Sequence, residues 1–264
     1  MEGGVLLVLL VSIGGLLWWG SRRRLKATGL PGNYKRMLEE YVAFYNKLDG
    51  EGKTRFEARM QQFLAQVRIT GAGTVVEDLD RVFIAAGAVI PLFHFPHWEY
   101  TNLHEVLLYP ESFDEEYNLQ AIERPIAGMV GWGVLQNQMI LSKTDLRQGF
   151  LDKSGKYNTA IHEFVHLIDK TDGATDGLPE NIINQQFIIP WLDLMHRKIK
   201  EITEGSSDIN PYGATNEAEF FAVASEYFFE RPDLLQERHP ELYALLEKIF
   251  RHQPKTNPPV NEEV

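Results

Sequence analysis

The amino-acid sequence predicts an α+β domain that is mostly helical and contains one small mixed sheet. Apolar residues recur at helical spacing in the segments before residue 94 and after residue 157. The segment between them carries short apolar runs separated by glycines, which is typical of strands and turns. The chain has 264 residues, of which 44% are hydrophobic, so it can bury a substantial core. Helices, then a small sheet, then helices is the order expected of an α+β fold.

The first 27 residues are predicted to be a membrane anchor with a basic flank. Residues 4–20 are almost entirely apolar and would form a helix of about 25 Å, near the lower limit for crossing a bilayer. Trp18 and Trp19 suit a membrane interface, and the basic cluster at 22–26 follows the apolar run. The positive-inside rule then predicts a single-pass protein of the inner membrane with its domain in the cytoplasm. The alternatives for this segment are a cleaved secretion signal or a buried core helix. The alternative for the location is a soluble cytoplasmic protein.

Three helices are predicted ahead of the sheet. Residues 34–48 and 54–69 carry apolar side chains at helical spacing, and two glycines separate the segments. Residues 75–93 are apolar over most of their length, which indicates a more buried helix that ends near Pro91. Strands and turns are then predicted in 105–110 and 128–143.

Four helices are predicted after the sheet. They span 158–172, 180–203, 216–229 and 240–251. Asn158 or Thr159 can cap the first of them, and Gly173 can end it. Pro240 is a favourable first-turn residue for the last.

The residues between the anchor and a short tail are predicted to form one domain, 28–255. No repeat or low-complexity break interrupts it, and residues 256–264 are polar and proline-bearing, which predicts a flexible tail. The net charge of −11 opposes direct binding of nucleic acid. Because cysteine is absent, any zinc must be held by nitrogen and oxygen ligands.

The helix at 158–172 contains the pattern H-E-x-x-H. His162 and His166 lie four residues apart, so they share one face of the helix and can bind one ion. Glu163 lies where a metalloprotease has its general base. The alternative is an amphipathic helix that carries two surface histidines. The pattern favours a zinc site because a random chain of this composition seldom contains it.

A catalytic zinc normally has three protein ligands and one open position, so a third ligand is expected downstream. The helix at 216–229 offers Glu217, Glu219 and Glu226. Glu217 can act as a first-turn acid that the helix dipole favours, and Glu219 can act as the capping-box partner of Asn216. Spacing alone does not choose among the three glutamates.

Two segments resemble the Mlc titration factor A family of zinc peptidases. They are "IHEFVHLID" and "YGATNEAEFFAVASEYFF", and the similarity includes "RMQQFLAQVRI", "HEVLLYPESF" and "GMVGWGVLQNQMILS", so that it covers residues 33–250. The second segment also resembles the catalytic domain of anthrax lethal factor, which points to a gluzincin-type site. The resemblance implies a zincin-like domain with one Zn²⁺ ion.

The resemblance also implies a role for each matching residue. His162 and His166 are the first two zinc ligands, and Glu163 is the general base. Glu219 is the third ligand, and Tyr212 stabilises the oxyanion. Metal-bound histidines usually donate their other ring N–H to a carboxylate or carbonyl. Asp169 and Glu226 are predicted to be such partners, with plain ion pairing as the alternative.

The family implies two functions that are compatible. One is a zinc-dependent peptidase acting on peptide or protein substrates, with aminopeptidase activity as its narrower form. The other is a regulator that sequesters the transcription repressor Mlc, which controls sugar uptake, with or without cleavage. The apolar N-terminus departs from the usual soluble family member. A strand in 134–142 is either an edge strand to which a peptide adds or an ordinary strand of the sheet.

Overall fold

The computed structural model of the chain describes residues 29–112, 127–131 and 137–251. The predicted anchor at 1–27 and the predicted tail at 256–264 lie outside these residues. Within the described ranges, no helix is both long enough and apolar enough to cross a membrane. These ranges form a mostly helical fold with one mixed sheet, as the sequence predicts.

The described elements follow one another in a helix–sheet–helix order. The helices are α1 (Tyr34–Tyr41), α2 (Ala43–Asn46), α3 (Gly50–Gln66), α4 (Asp78–Leu92), α5 (Lys143–Leu151), α6 (Thr159–Asp169), α7 (Ile188–Thr203), α8 (Glu217–Glu230), α9 (Pro232–Arg238) and α10 (Pro240–Arg251). The strands are β1 (Arg68–Gly71), β2 (Glu105–Tyr109), β3 (Gly128–Val130) and β4 (Gln138–Ser142). Short 3₁₀ turns lie at Lys170–Asp172, Gln185–Phe187 and Pro211–Ala214.

Two of the helices predicted before the sheet have different bounds in the structure. The predicted helix at 34–48 is two helices, because Val42 has an extended backbone conformation between α1 and α2. The predicted helix at 54–69 begins earlier, at Gly50, where the Asp49 side chain accepts a hydrogen bond from the backbone N–H of Gly52. It also ends earlier, since Arg68 begins strand β1.

Among the described residues, the sheet has four strands in the order β1-β2-β4-β3. The pairs β1–β2 and β2–β4 are parallel, whereas β3 is antiparallel to β4. Of the two alternatives for the strand in 134–142, the structure supports an ordinary strand of the sheet, because β4 pairs with β2 on one side and β3 on the other. Within the described part of the chain, β3 is the edge strand at this end of the sheet.

Helix α4 passes through the middle of the core. Every residue from Val82 to Leu92 is buried, and α4 contacts both α3 and α6. A Cβ atom on Gly87 would lie 2.6 Å from the Cβ of Ala160, so glycine is what permits α6 to pack this closely. The core therefore fixes the first turn of α6, which leads into His162.

The helices after the sheet agree with the sequence where caps or long periodic stretches define them. α6 begins after Asn158, α8 begins after Asn216, and α10 begins at Pro240. The long helix predicted at 180–203 begins at Ile188 instead, because the preceding residues form turns and a 3₁₀ segment. α5 and α9 were not predicted, since nine and seven residues are too few for a clear periodicity.

Candidate metal centre

Helix α6 presents the two histidines side by side. Asn158 caps the helix, and its side-chain oxygen accepts a hydrogen bond from the backbone N–H of Ile161. The apolar face of α6 is buried, with Ile161 and Phe164 fully inaccessible. The opposite face carries His162 and His166, whose Nε2 atoms lie 3.0 Å apart.

Helix α8 brings a carboxylate to the same point. Oε2 of Glu219 lies 3.0 Å from Nε2 of His162 and 3.4 Å from Nε2 of His166. Asn216 caps α8, because its side-chain oxygen accepts a hydrogen bond from the backbone N–H of Glu219. The carboxylate of Glu219 is directed at the histidines. Among the residues the structure describes, these three are the one group of His, Asp or Glu side chains placed to share a metal ion.

The three side chains fit a zinc ion. Tetrahedral zinc with ligand distances of about 2.0–2.1 Å has ligand–ligand separations of about 3.4 Å. The separations of 3.0, 3.0 and 3.4 Å in the cluster are within a few tenths of an ångström of that value. Two imidazole nitrogens and one carboxylate oxygen are also a donor set that zinc accepts.

The other two candidate glutamates on α8 occupy different places. Glu226 is buried, and its Oε1 lies 2.7 Å from Nδ1 of His162. Its second oxygen accepts the backbone N–H of Asn158 at 2.5 Å. The Glu217 side chain is half exposed and lies 3.7 Å from His196 at the rim of the cleft. Glu226 can therefore orient His162, while Glu219 alone of the three faces both histidines.

The electrostatics of the cluster favour an ionised carboxylate. Burial would raise the pKa of Glu219, but hydrogen bonds with His162 and His166 lower it to about 2. Burial alone would lower the pKa of the His162 imidazole, but the charge of Glu226 and hydrogen bonds with both glutamates raise it well above its ordinary value. Binding of a metal cation at this point would therefore release a proton from the imidazole.

Glu163 lies beside the cluster and is buried. Burial raises the pKa of its carboxyl group, which is the direction expected for a group that exchanges protons near neutral pH. Strand β3 approaches this carboxylate closely, since a Cβ atom on Gly128 would lie 2.6 Å from Cγ and 2.7 Å from Oε1 of Glu163. The sequence is consistent with a turn or a close backbone approach at Gly128, but it does not show that Glu163 is the residue approached.

The cluster opens into a cleft of about 510 Å³. Its other lining residues include Met129 and Val130 of the edge strand, Lys170, Asp176 and Tyr212. The amine of Lys170 donates a hydrogen bond to the carbonyl oxygen of Gly131, just beyond β3. The cleft thus runs along the edge strand and past both histidines.

Tyr212 lies in the 3₁₀ turn that precedes α8, and 53% of its surface is exposed. Its ring centroid lies 6.1 Å from that of His162. Burial of part of the ring and the charges of Glu219 and Glu163 raise the pKa of its hydroxyl group. The hydroxyl therefore remains protonated at neutral pH and can donate a hydrogen bond into the cleft.

Asp169 is buried at the end of α6, three residues after His166. Its Oδ2 accepts the backbone N–H of Gly177 at 2.9 Å, and burial raises the pKa of the carboxyl group to about 7. Within the described part of the chain, neither Oδ1 of Asp169 nor Nδ1 of His166 has a hydrogen-bond partner. The structure thus joins Asp169 to the loop after α6 and shows no hydrogen bond between it and His166.

A prediction of pH dependence arises from Glu230, at the end of α8. Its Oε1 accepts a hydrogen bond from the Asn158 amide at 2.8 Å, and burial raises its pKa from 4.5 to about 7. The folded state therefore binds this proton more tightly than the unfolded state, so ionisation lowers the free energy of unfolding as pH rises from about 4.5 to 7. Glu230→Gln should raise that free energy at pH 8 by about 3 kcal/mol.

Urea unfolding of wild type and Glu230→Gln at pH 5.5 and pH 8 checks this expectation. The advantage of the glutamine variant should shrink at the lower pH, because wild-type Glu230 is then protonated in the folded state. Glu237→Gln, on the exposed surface of α9, is the matched control. A stability difference for Glu230→Gln that is the same at both pH values would show that the residue does not titrate in this range.

The fold and the site together define a class of protein. One helix supplies two histidines with a glutamate between them, a second helix supplies a third carboxylate, and an edge strand borders the cleft beside them. This is the arrangement of the H-E-x-x-H metallopeptidases.

Comparison with known proteins identifies the family within that class. The model of the glucose-regulated metallo-peptidase M90 family matches residues 16–251, and the chain belongs to this family. An uncharacterized Synechocystis protein is 28% identical over 96% of this chain and 98% of its own length. Mlc titration factor A of Pectobacterium atrosepticum is 29% identical, over 78% of this chain and 82% of that protein. Its counterpart in Escherichia fergusonii is 30% identical, over 81% and 84%. The predicted resemblance to Mlc titration factor A is confirmed.

Proposed function

We propose that this chain is a zinc-dependent peptidase whose one Zn²⁺ ion is held by His162, His166 and Glu219. The observation that carries the proposal is the convergence of three donor atoms, 3.0–3.4 Å apart, beside the buried carboxylate of Glu163. Membership of a metallopeptidase family supports the same reaction. A zinc ion held there would supply Lewis acidity to the scissile carbonyl and to the attacking water.

The remaining chemistry belongs to side chains of the cleft. The Glu163 carboxylate accepts a proton from water as the water oxygen bonds to the carbonyl carbon. The same carboxyl group then gives this proton to the amine nitrogen as the C–N bond breaks. Tyr212 donates its hydroxyl hydrogen to the carbonyl oxygen as negative charge develops there. Glu226 holds the His162 ring in place through Nδ1.

The edge strand β3 provides a way to bind an extended peptide. One side of β3 pairs with β4, and its residues Gly128, Met129 and Val130 also line the cleft. A substrate that lies extended along β3 in the cleft would lie next to Glu163. In this proposal the peptide binds along β3, and not along the strand at 134–142 that the sequence suggested. Binding along β3 requires an extended segment, so it favours peptides or unfolded proteins over compact proteins as substrates. Aminopeptidase activity is one form of such peptidase activity.

Tyr212→Phe should lower kcat by about 100-fold with little change in KM, because the ring keeps its contacts while the developing oxyanion loses a donor. Steady-state kinetics on a peptide substrate measures both constants. Tyr157→Phe is a suitable control, since Tyr157 is 51% exposed and is not among the cleft-lining residues. Equal kcat values for Tyr212→Phe and wild type would remove Tyr212 from the mechanism.

The test of the proposed function is zinc content together with peptide hydrolysis. The purified 264-residue chain should bind one zinc ion and cleave members of a fluorogenic peptide library. A chelator should abolish cleavage, and added zinc should restore it. Stoichiometric zinc without cleavage of any peptide would reject the peptidase and leave a binding role.

A second function is supported by the relatives that carry the name Mlc titration factor A. We propose that the chain binds an Mlc-type transcription repressor, with or without cleaving the repressor. Its net charge of −11 opposes contact with DNA, so the proposed contact is with the repressor protein itself. Analytical ultracentrifugation of the chain with purified Mlc from a relative's organism tests this proposal, and separate sedimentation of the two at micromolar concentrations would reject it.

The place of action is a further proposal, and it rests on residues 4–20 and the basic cluster after them. We propose a single-pass anchor in the inner membrane with the catalytic domain on the cytoplasmic side. Carbonate extraction of membranes tests it: the chain should stay in the pellet, and deletion of residues 1–27 should release it. Recovery of the intact chain in the supernatant would favour the soluble cytoplasmic alternative.

A further inference from the structure

Gly177 lies between the two helices that carry the proposed zinc ligands. Its backbone N–H donates a hydrogen bond of 2.9 Å to Asp169, at the end of α6. Its carbonyl oxygen accepts a hydrogen bond of 2.8 Å from the ring N–H of Trp191, a fully buried side chain of α7. Its α-carbon faces the first residue of α8, since a Cβ atom at this position would lie 2.3 Å from the carbonyl oxygen of Glu217.

Two independent features restrict this position to glycine. The backbone has φ = +76°, a conformation that other L residues adopt only with strain. The atom that a side chain would meet belongs to the backbone of α8, so it cannot rotate aside as a flexible side chain would. Glu219, the proposed third ligand, is in the same first turn of α8, two residues after Glu217.

A second glycine of the same loop, Gly173, has the first of these two features but not the second. Gly173 also has a positive φ, of +101°, but a Cβ atom there would meet nothing within 4 Å. A substitution at Gly173 therefore introduces backbone strain alone. A substitution at Gly177 introduces similar strain and also pushes against α8.

We propose that Gly177 is a positioning residue that sets the separation of α8 from α6, and thereby the fit of Glu219 to His162 and His166. The inference rests on the proposed zinc site and assigns to it a structural determinant outside the motif. Gly177 is not among the residues that line the cleft. Its effect passes through the first turn of α8, where an outward shift would carry Glu219 away from the histidine pair.

Zinc affinity tests this proposal, because strain in the loop by itself would not change it. The dissociation constant is measured by chelator competition on metal-free wild type, Gly177→Ala and Gly173→Ala, with thermal unfolding of each metal-free protein alongside. Both variants should unfold at lower temperature than wild type. Gly173→Ala should bind zinc within about threefold of wild type, whereas Gly177→Ala should bind at least about 10-fold more weakly.

The possible results distinguish the two proposals. Equal zinc affinity in Gly177→Ala and Gly173→Ala overturns the role of Gly177, while failure of wild type to bind zinc overturns the metal site itself. If circular dichroism shows that Gly177→Ala is unfolded, Trp191→Phe decides instead, because it removes the donor to the Gly177 carbonyl. Weaker zinc binding by folded Trp191→Phe supports the proposal, and unchanged binding overturns it.

Discussion

Glu163→Gln should abolish peptide hydrolysis while the protein still binds zinc. The glutamine has nearly the same shape and fits the buried site, but its amide cannot accept the proton of the attacking water. General-base catalysis contributes about 10²–10⁴-fold to rate, so kcat/KM should fall by at least about 100-fold. Glu163 is not one of the three converging donors, so zinc content should remain near that of wild type. The measurement is kcat/KM and zinc content on the two proteins side by side.

Glu217→Gln is the matched control for this variant. It makes the same chemical change on another glutamate of the cleft, one that is half exposed and points toward His196 instead of the histidine pair. Its kcat should stay within a few-fold of wild type. Full activity in Glu163→Gln would show that Glu163 is not the general base, whatever the activity of the control.

Glu219→Ala should produce the second large effect, on zinc affinity. Removing one of three protein ligands leaves only the histidine pair, and the affinity should fall by at least about 100-fold. Glu226→Ala should weaken binding less than Glu219→Ala does, because Glu226 contacts the ring of His162 and not the shared point. Chelator competition with metal-free protein measures both constants.

The comparison of these glutamate variants also tests the choice of third ligand. Glu217→Ala serves as control, since it changes the same turn of α8 without touching the histidines. If Glu226→Ala loses the metal and Glu219→Ala keeps it, Glu219 is not the ligand. That outcome would also remove the basis for the role of Gly177, which acts through the turn containing Glu219.

The parts of the site that the sequence could predict are those set by local geometry. Two histidines four residues apart on one helix share a face in any fold, so the His162–His166 pair follows from the pattern itself. The caps of α6 and α8 are also local, and Asn158 and Asn216 occupy them. Glu219 lies 57 residues after His162. Spacing alone makes Glu217, Glu219 and Glu226 equally good candidates for the third zinc ligand. Only the resemblance to a known family singles out Glu219.

The parts of the fold and the site that the sequence did not predict depend on packing between segments that are distant in sequence. The order of strands in a sheet is not a local property, so the sequence could not show that β4 lies inside the sheet and that the three-residue strand β3 forms its edge. The predicted helix at 54–69 includes the first two residues of β1, Arg68 and Ile69, because β1 begins only two residues after α3 ends. The close approaches at Gly128 and Gly177 involve Glu163 and Glu217, which lie far away in sequence. The sequence alone does not show which residues these two glycines approach.

The most direct test of the central claim, that one zinc ion is held by His162, His166 and Glu219, is anomalous diffraction at the zinc absorption edge. Crystals of the zinc-saturated chain should give one strong anomalous peak, within about 2.0–2.2 Å of Nε2 of each histidine and a carboxylate oxygen of Glu219. An anomalous map with no peak at this point, or with its only peak on other residues, would contradict the account.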